Sequence, residues 1–493
     1  MLGTRRSWVW NQLQVFGGRR GIYGSLPQTS QAPPAQLAQP NSTMTGIGAT
    51  PEALEVNPVT WDLLWEMGWR DSAPDIVQWV AGYVGRRYGL RADRPAPLLQ
   101  QAWQVLLSSQ YTASVGNYAT SQLCWLEQEP RVSYESVAGD RVGQPDGIVK
   151  ALRLMLASAD AAEVNVTQPS FLYDLVDLGR QLCCNVHSDL AILAGWEFLQ
   201  HSSPQALHPL HSANDSVLAV NATHTALVSL IHDLDELLSS HPSFLIGPRL
   251  DEATAWAMGN ASAVQALRYQ FLNQITIWGP TRQLSVSSGH NDYAAKNGWA
   301  GLMGQYYGGR WAIHAAGVVA AIKNGTAPHV ETSAALDAFE EAWSRRGGGN
   351  GTPFLTNAQG DTIEVSRKLL RKYAPQPDEI PGCGNYTVFK LTDAVPTSGG
   401  AAVDMIQAWN TDVGVLKALC AQRPPSHHSV VLYSVTCLFV CHVAAGDMDP
   451  SCEGFNSGGY LKNDTRHMRR SKEGHDLYVK LRPRRSSGDT GHT

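Results

Sequence analysis

Between Ser42 and Met67 the hydrophobic period of the chain changes, and that change restricts the fold more than any other feature. Ser42 to Ile47 is small and β-tolerant, which reads as a short strand. Asn57 suits a helix N-cap and Pro58 suits the first helical position. Val59, Leu63, Leu64 and Met67 then recur at helical spacing. Strand, turn and helix in that order make the repeating unit of a parallel α/β sheet. The turn carries Pro51-Glu52, and α/β barrels place reacting groups at the C-terminal ends of their strands. Glu52 is therefore a candidate catalytic carboxylate. A lone loop glutamate is usually a solvated surface residue, so position alone assigns it nothing further.

Upstream, Trp8 to Phe16 is aromatic and β-branched without Gly or Pro and predicts another strand, ended by Gly17-Gly18. Pro27 to Pro40, rich in Pro, Gln and Ala, predicts a loop. Residues 1–70 thus read as the last one or two βα units of a barrel. From 71 to 375 the period becomes helical, with candidate helices at Pro97–Ser109, Gly147–Ala159, Ser170–Leu199, Ala226–Ser239, Arg249–Trp278, Tyr293–Ala321, Ala335–Trp343 and Thr362–Tyr373. Leu172, Leu175, Val176 and Leu182 show the apolar stripe. Few alternating patterns interrupt them, so this part is an all-helical domain. Trp61, Trp65 and Trp69 recur at helical spacing and read as core. The glycine-rich Gly347–Thr352 follows no strand with Walker spacing and is a poor phosphate cradle.

Residues 376–493 show no recognisable pattern. Arg466–Arg485 is basic and low in apolar content, which predicts disorder. Val430–Ala445 is apolar but too short to span a bilayer and contains His442, so it reads as a buried helix or strand and no membrane span is expected. Cys437, Cys441 and Cys452 lie near His427, His428 and His442, but the spacing matches no zinc pattern and no metal is assigned.

A net charge of -5 with a pI near 6.3 leaves no electrostatic footprint for nucleic acid. Nine Asn-x-Ser/Thr sequons, at Asn41, Asn165, Asn214, Asn221, Asn260, Asn324, Asn350, Asn385 and Asn463, exceed the roughly three that chance supplies. The excess favours the secretory route, although no leader with an apolar core precedes Trp8. Asn41, beside the proposed strand, is a candidate for burial. Eight cysteines are too few for a dense disulfide framework, and adjacent Cys183 and Cys184 do not readily bridge each other. Fifteen tryptophans suit either sugar-stacking platforms or a large core.

Asn41-Ser-Thr-Met44, Gly46, Gly48, Glu52, Asn57 and Gly68-Trp-Arg70 stand in one collinear series, preceded by Trp10, Leu13 and Phe16-Gly17-Gly18. The series continues through Arg86-Arg-Tyr-Gly89, Ala102-Trp103, Tyr173-Asp174-Leu175, Asp177-Leu178 and Arg180-Gln181. It ends with Trp278-Gly-Pro280, Asp292-Tyr-Ala294, Gly360-Asp-Thr362 and Lys372-Tyr373. Over roughly residues 8–375 this series resembles the lysosomal-type α-N-acetylglucosaminidases. The resemblance implies the C-terminal βα units of a (β/α)8 TIM barrel over 1–70, an all-α domain over 71–375 and an unmatched tail over 376–493.

It also implies a retaining exo-glycosidase that removes terminal α-linked N-acetylglucosamine from glycans, with two carboxyl groups about 5–5.5 Å apart. By this resemblance Glu52 takes the nucleophile position. Leu13 and Phe16 match apolar residues lining the sugar pocket, and Trp278 and Tyr293 match an aromatic wall donated by the helical domain. Arg87 and Asp177 match structural positions, read as buried ion-pair or capping partners. The family's general acid lies on an earlier strand, in an Asn-Glu pair for which this chain has no position. The expectation is a fragment that lacks the acid and is inactive alone. A homo-oligomer is left open, and a second subunit supplying the missing half would restore activity. No cofactor or metal is implied, and the resemblance places the protein in a lysosome, vacuole or extracellular space.

Three departures bear on the aglycone side of the pocket. Gln14-Val15 replaces a His-Asn or His-Asp pair, the loop after Tyr111 lacks a histidine found in some members, and no Trp-Tyr pair stands around Gly143–Asp146. The alternative reading is a non-catalytic paralogue that acts as a carbohydrate-binding or assembly module.

Overall fold

The computed structural model describes residues 6–14, 20–51, 57–91, 93–112, 124–127, 129–130, 145–202, 213–281, 298–348 and 353–374, together with six short strands beyond residue 390. The chain divides into two units, one of residues 1–202 and 213–370, the other of residues 203–212 and 371–493.

The first unit opens with two parallel strands, β1 (Trp8–Gln14) and β2 (Met44–Pro51), paired in register from Val9↔Gly46 to Gln14↔Pro51. Gly48 allows this approach, because a Cβ there would stand 3.0 Å from Asn11 Oδ1. Asn11 Nδ2 instead donates to Thr50 Oγ1 at 2.6 Å, two pairs further along. The second strand runs four residues past the expected Ile47, so it ends directly before Glu52.

The connection between the strands corrects the expected loop at Pro27–Pro40: it is α1 (Leu26–Leu37). Ser25 caps it by accepting from the Gln28 N–H, and Pro27 occupies a first-turn position where no donor is missed. Pro33 and Pro34 do remove donors, but they are buried with Leu26, Thr29 and Ser30, and packing outweighs their poor propensity. β1, α1 and β2 together form a βαβ unit, and α2 (Pro58–Met67) follows it.

On α2, Val59, Leu63, Leu64 and Met67 form the buried stripe. The expected core placement of the tryptophans is overturned: Trp65 is 52% and Trp69 92% exposed, and Trp61 is partly exposed. Their four-residue spacing marks a second stripe, and the first already fills the contact with the sheet and α1.

The helical region continues with α3 (Ile76–Tyr88), α4 (Pro97–Ser109), α5 (Pro145–Asp160), α6 (Pro169–Ser202) and α7 (Ala213–Ser239). Of these, α3 was not among the expected helices, although Asp75 caps it through the Val77 and Gln78 amides and Gly89 ends it in the left-handed region. The expected Arg249–Trp278 helix is two, α8 (Ile246–Ala255) and α9 (Ala261–Gln274). The chain breaks where Met258 and Gly259 take φ of 46° and 83°, and Asn260 caps the second by accepting from the Ala263 amide. Of the expected Tyr293–Ala321 helix, residues 293–297 lie outside the described residues. A π turn over Met303–Tyr307 then leads into α10 (Gly308–Asn324). Next come α11 (Pro328–Arg345) and α12 (Thr362–Tyr373).

The α6 helix packs on α7, α7 on α10, and α10 on α11. A core of Phe198, Val220, Val318, Ala321 and Ile322 lies among them. Cys184 of α6 bridges Cys124, and Cys183 is buried beside it.

In the second unit, short strands β3 (Leu391–Thr392), β6 (Gly454–Asn456), β7 (Leu461–Lys462) and β8 (Asp476–Val479) form an antiparallel sheet in the order β3-β8-β6-β7. β4 (Val430–Tyr433) and β5 (Leu438–Cys441) form a separate antiparallel pair. The apolar run at 430–445 is thus read as strand where it is described. The expected disorder of Arg466–Arg485 is corrected at Asp476–Val479, where Leu477, Tyr478 and Val479 supply β-forming side chains. Cys437, Cys452 and the three histidines near them lie outside the described residues. Among the described residues no helix is long and apolar enough to cross a membrane.

Candidate active site

Of the five proposed site residues, Leu13 and Trp278 are described, while Glu52, Phe16 and Tyr293 lie outside the described residues. Leu13 sits on β1 opposite Thr50 of β2, one residue pair before the strands end, and its side chain is partly buried. Trp278 follows the last turn of α9 with φ of 39°, a conformation uncommon for a bulky side chain. Its amide donates to Asn273 O at 2.7 Å, and the side chain of Asn273 holds Gly279 from both sides, donating to its carbonyl and accepting from its amide. The indole is 43% exposed. A locally braced, half-exposed aromatic is suited to stacking against a ligand ring.

Asn57 ties the start of α2 to the loop after β1 and to the end of α4. The sequence predicted an N-cap, and Asn57 does occupy that position, but its side chain does not cap the helix. It is buried with φ of 52° and ψ of 51°, a left-handed conformation that asparagine tolerates. Its Oδ1 accepts from the Tyr23 amide at 3.2 Å and from the Tyr111 hydroxyl at 3.1 Å, and its Nδ2 donates to Gly21 O at 3.0 Å. One amide thus joins the turn after β2, the loop after β1 and the end of α4. Burial pushes the Tyr111 hydroxyl well above its ordinary pKa, so it remains a donor.

The same loop is fastened to the helical region at further points. Gln181 Oε1 accepts from the Ile22 amide at 2.9 Å, and Gln181 Nε2 donates to Asn185 Oδ1 at 2.9 Å. Arg180 Nη2 donates to Arg20 O at 2.7 Å while pairing with Asp177. Burial opposes the Arg180 charge, yet the adjacent Asp177 carboxylate more than offsets it and raises the pKa. Leu26 N donates to Tyr111 O at 2.9 Å and Gly24 N to Gln110 O at 3.3 Å. Residues 20–26 are therefore held by α2, α4 and α6 at once.

Arg87 and Asp177, matched as structural positions, are ion-paired, but not to each other. Arg87 makes a two-pronged contact with Asp174 at 2.5 and 2.6 Å, which also accepts from the Tyr88 hydroxyl, and Asp177 pairs with Arg180. Asn57 as a three-way clamp was not foreseen. Asparagine tolerates the left-handed backbone, but the following proline favours an extended one, and the partners are 34 to 54 residues distant, so no local signal pointed to it. Among the described residues no group of histidines, cysteines and carboxylates could hold a metal ion.

Residues 79–372 match the Alpha-N-acetylglucosaminidase (NAGLU) C-terminal domain, and residues 3–71 match the Alpha-N-acetylglucosaminidase (NAGLU) tim-barrel domain. A human protein named Alpha-N-acetylglucosaminidase is 30% identical over 375 residues, which cover 75% of this chain and 45% of the relative. Among solved structures, a Family 89 Glycoside Hydrolase from Clostridium perfringens in complex with PUGNAc superposes with a TM-score of 0.62 at 22% identity. It covers 74% of this chain and 39% of its own. A second Clostridium perfringens structure, in complex with its substrate GlcNAc-alpha-1,4-galactose, gives a TM-score of 0.61 with the same coverage. The chain thus spans less than half the length of these relatives. The likeness in structure establishes a shared fold, and the matched domains, over more than half of its residues, show that the chain belongs to the α-N-acetylglucosaminidase family.

Proposed function

We propose that this chain carries the nucleophile half of a retaining exo-α-N-acetylglucosaminidase that releases terminal α-linked N-acetylglucosamine from glycans. The observation that carries the reading is the parallel β1–β2 pair, whose second strand ends at Pro51, directly before Glu52. Family membership supplies the reaction class, and a human relative and a bacterial substrate complex support the sugar.

Glu52 attacks the anomeric carbon while the acid partner protonates the departing glycosidic oxygen, which breaks the glycosidic bond and leaves a glycosyl-enzyme; the same partner then takes a proton from the water that releases the sugar from Glu52. Leu13 and Phe16 line the pocket, and Trp278 and Tyr293 close over the pyranose from the helical domain. In this reading the acid lies on an earlier strand of the barrel, outside residues 3–71 that match the barrel domain. The chain alone therefore binds sugar weakly and does not turn it over. The domains divide near residues 70 and 375.

The protein passes through the secretory route towards a lysosomal, vacuolar or extracellular site. The Cys124–Cys184 bridge fits an oxidising compartment. The sequon asparagines whose side chains are described (Asn41, Asn165, Asn221, Asn260 and Asn324) are all exposed, Asn41 included, contrary to its expected burial.

The test joins this chain to the missing barrel portion of a family relative and assays an aryl α-N-acetylglucosaminide. Turnover should appear in the joined protein and not in the chain alone. Glu52→Gln should lower it on the order of 10³-fold or more. Glu52→Ala should regain turnover with azide and yield the glycosyl azide of opposite anomeric configuration. Unchanged turnover in Glu52→Gln would remove the nucleophile assignment.

A further inference from the structure

Three histidines from three helices meet inside the helical region, in a place the glycosidase reading does not use. His187 of α6, His224 of α7 and His314 of α10 are 0%, 2% and 2% exposed. Trp311 stands between two of them: its ring centroid is 4.5 Å from that of His187 and 5.6 Å from that of His314, and His314 lies 5.8 Å from His224. The four rings form one continuous seam where the three helices pack.

The seam is built for neutral imidazoles. His224 Nδ1 lies 2.8 Å from Val220 O, one turn back on its own helix, and donates to it in the neutral tautomer. Both ring nitrogens of His187 and Nδ1 of His314 are buried with no hydrogen-bond partner among the described residues. A proton arriving here would place a cation where no described group receives it.

The charged groups on the surrounding elements are engaged elsewhere. On α6, Asp177 and Arg180 pair with each other about two turns before His187. On α7, Asp235 accepts from the Gly301 and Gly304 amides three turns past His224. On α10, Arg310 pairs with Glu340 of α11 at 2.7 Å. Glu127 is on the short turn whose Leu126 carbonyl accepts the Trp311 indole N–H at 2.9 Å, and it acts on Arg180 and Tyr307.

We propose that the His187–His224–His314 seam is an acid-sensitive latch, closed while the rings are neutral and parted between α6, α7 and α10 when they take up protons. Burial pushes His187 down to about 3, His224 to about 4 and His314 to about 3. The opened state, with ordinary values near 6.5, binds protons more tightly than the closed state. Stability from closure is full above about pH 6.5 and is lost as pH falls from there towards 4. The proposal concerns this chain's fold and stands whether or not the glycosidase reading holds.

Hydrogen exchange of the full chain at pH 7, 6 and 5, corrected for intrinsic rates, tests it. Peptides covering 183–190, 221–228 and 311–318 should lose protection at pH 5 on the order of tenfold for each ring exposed. Peptides of α3 and α4, which contain no histidine, should change far less. The triple variant His187→Phe, His224→Gln, His314→Phe should abolish the difference. Equal protection of the seam at pH 5 and pH 7, or an equal loss in the triple variant, would overturn the proposal. Should that variant not fold, ring NMR of the wild-type chain decides: the rings of His187, His224 and His314 should remain neutral at pH 6. Titration of these rings near the ordinary value of about 6.5 also overturns it.

Discussion

The hydroxyl of Tyr111 donates to Oδ1 of Asn57 at 3.1 Å, so a residue just past the end of α4 and the residue that precedes α2 share one buried amide. That amide also holds Gly21 and Tyr23, which gives Asn57 three partners outside its own helix.

Asn57→Ala should therefore destabilise the chain by about 3 kcal/mol, because three partners lose a hydrogen bond inside the protein. Asn57→Gly should recover about 1 kcal/mol of that loss, since glycine adopts the left-handed backbone without a Cβ penalty. Urea unfolding of both variants checks the two parts separately. Equal losses for Ala and Gly would mean that the backbone conformation contributes nothing.

Cys124 and Cys184 close a loop with a sequence separation of 60 residues. By chain entropy the bridge contributes about 4 kcal/mol through the unfolded state. Cys124→Ser and Cys184→Ser should each lower stability by that order. The double variant should lose little more than either alone, because one bridge is broken in all three. Unfolding with and without reductant reads the same quantity on the wild-type chain.

Helical periodicity was legible in the clearest cases: α4 and α12 have the bounds that apolar spacing predicts. The misreadings have a common cause. Pro33 and Pro34 carry a loop signature, and α1 contains them because both are buried. Trp65 and Trp69 carry a core signature, yet Leu63 and Leu64 occupy the face that α2 buries. Composition and spacing describe what a segment can do alone, whereas these outcomes depend on what lies opposite. The same holds around the proposed site. The order of strand, turn and helix around Glu52 was readable, but the clamp at Asn57 and the fastening of residues 20–23 by Arg180 and Gln181 span up to 160 residues. No local pattern encodes such partners.

Trp278 separates a ligand-stacking role from a packing role. With 43% of the residue exposed, Trp278→Ala should change stability by about 1 kcal/mol or less. As a sugar platform in the joined enzyme, its loss should raise KM for the aryl glycoside about tenfold or more. Trp278→Phe should restore most of the binding. A large loss of stability with unchanged KM would return the indole to a packing role. Thermal unfolding and steady-state kinetics on the same preparations distinguish the two.

Two glycines should respond in opposite directions to the same added methyl group. At Gly304 a Cβ would meet Asp235 Oδ2 at 2.9 Å and its Cγ at 3.0 Å. Asp235 cannot withdraw freely, because its Oδ1 accepts from the Gly301 amide at 2.7 Å and the Gly304 amide at 2.9 Å. Gly304→Ala should therefore cost about 1–3 kcal/mol through overpacking. Within α3, a Cβ at Gly85 meets nothing within 4 Å, so Gly85→Ala should stabilise the chain by about 0.5–1 kcal/mol through helix propensity alone. In Asp235→Ala the shorter side chain makes room at position 304, so the added cost of Gly304→Ala should shrink in that background. Unfolding midpoints of the four proteins in that cycle measure the coupling, and additive losses would show that the carboxylate does not confine residue 304.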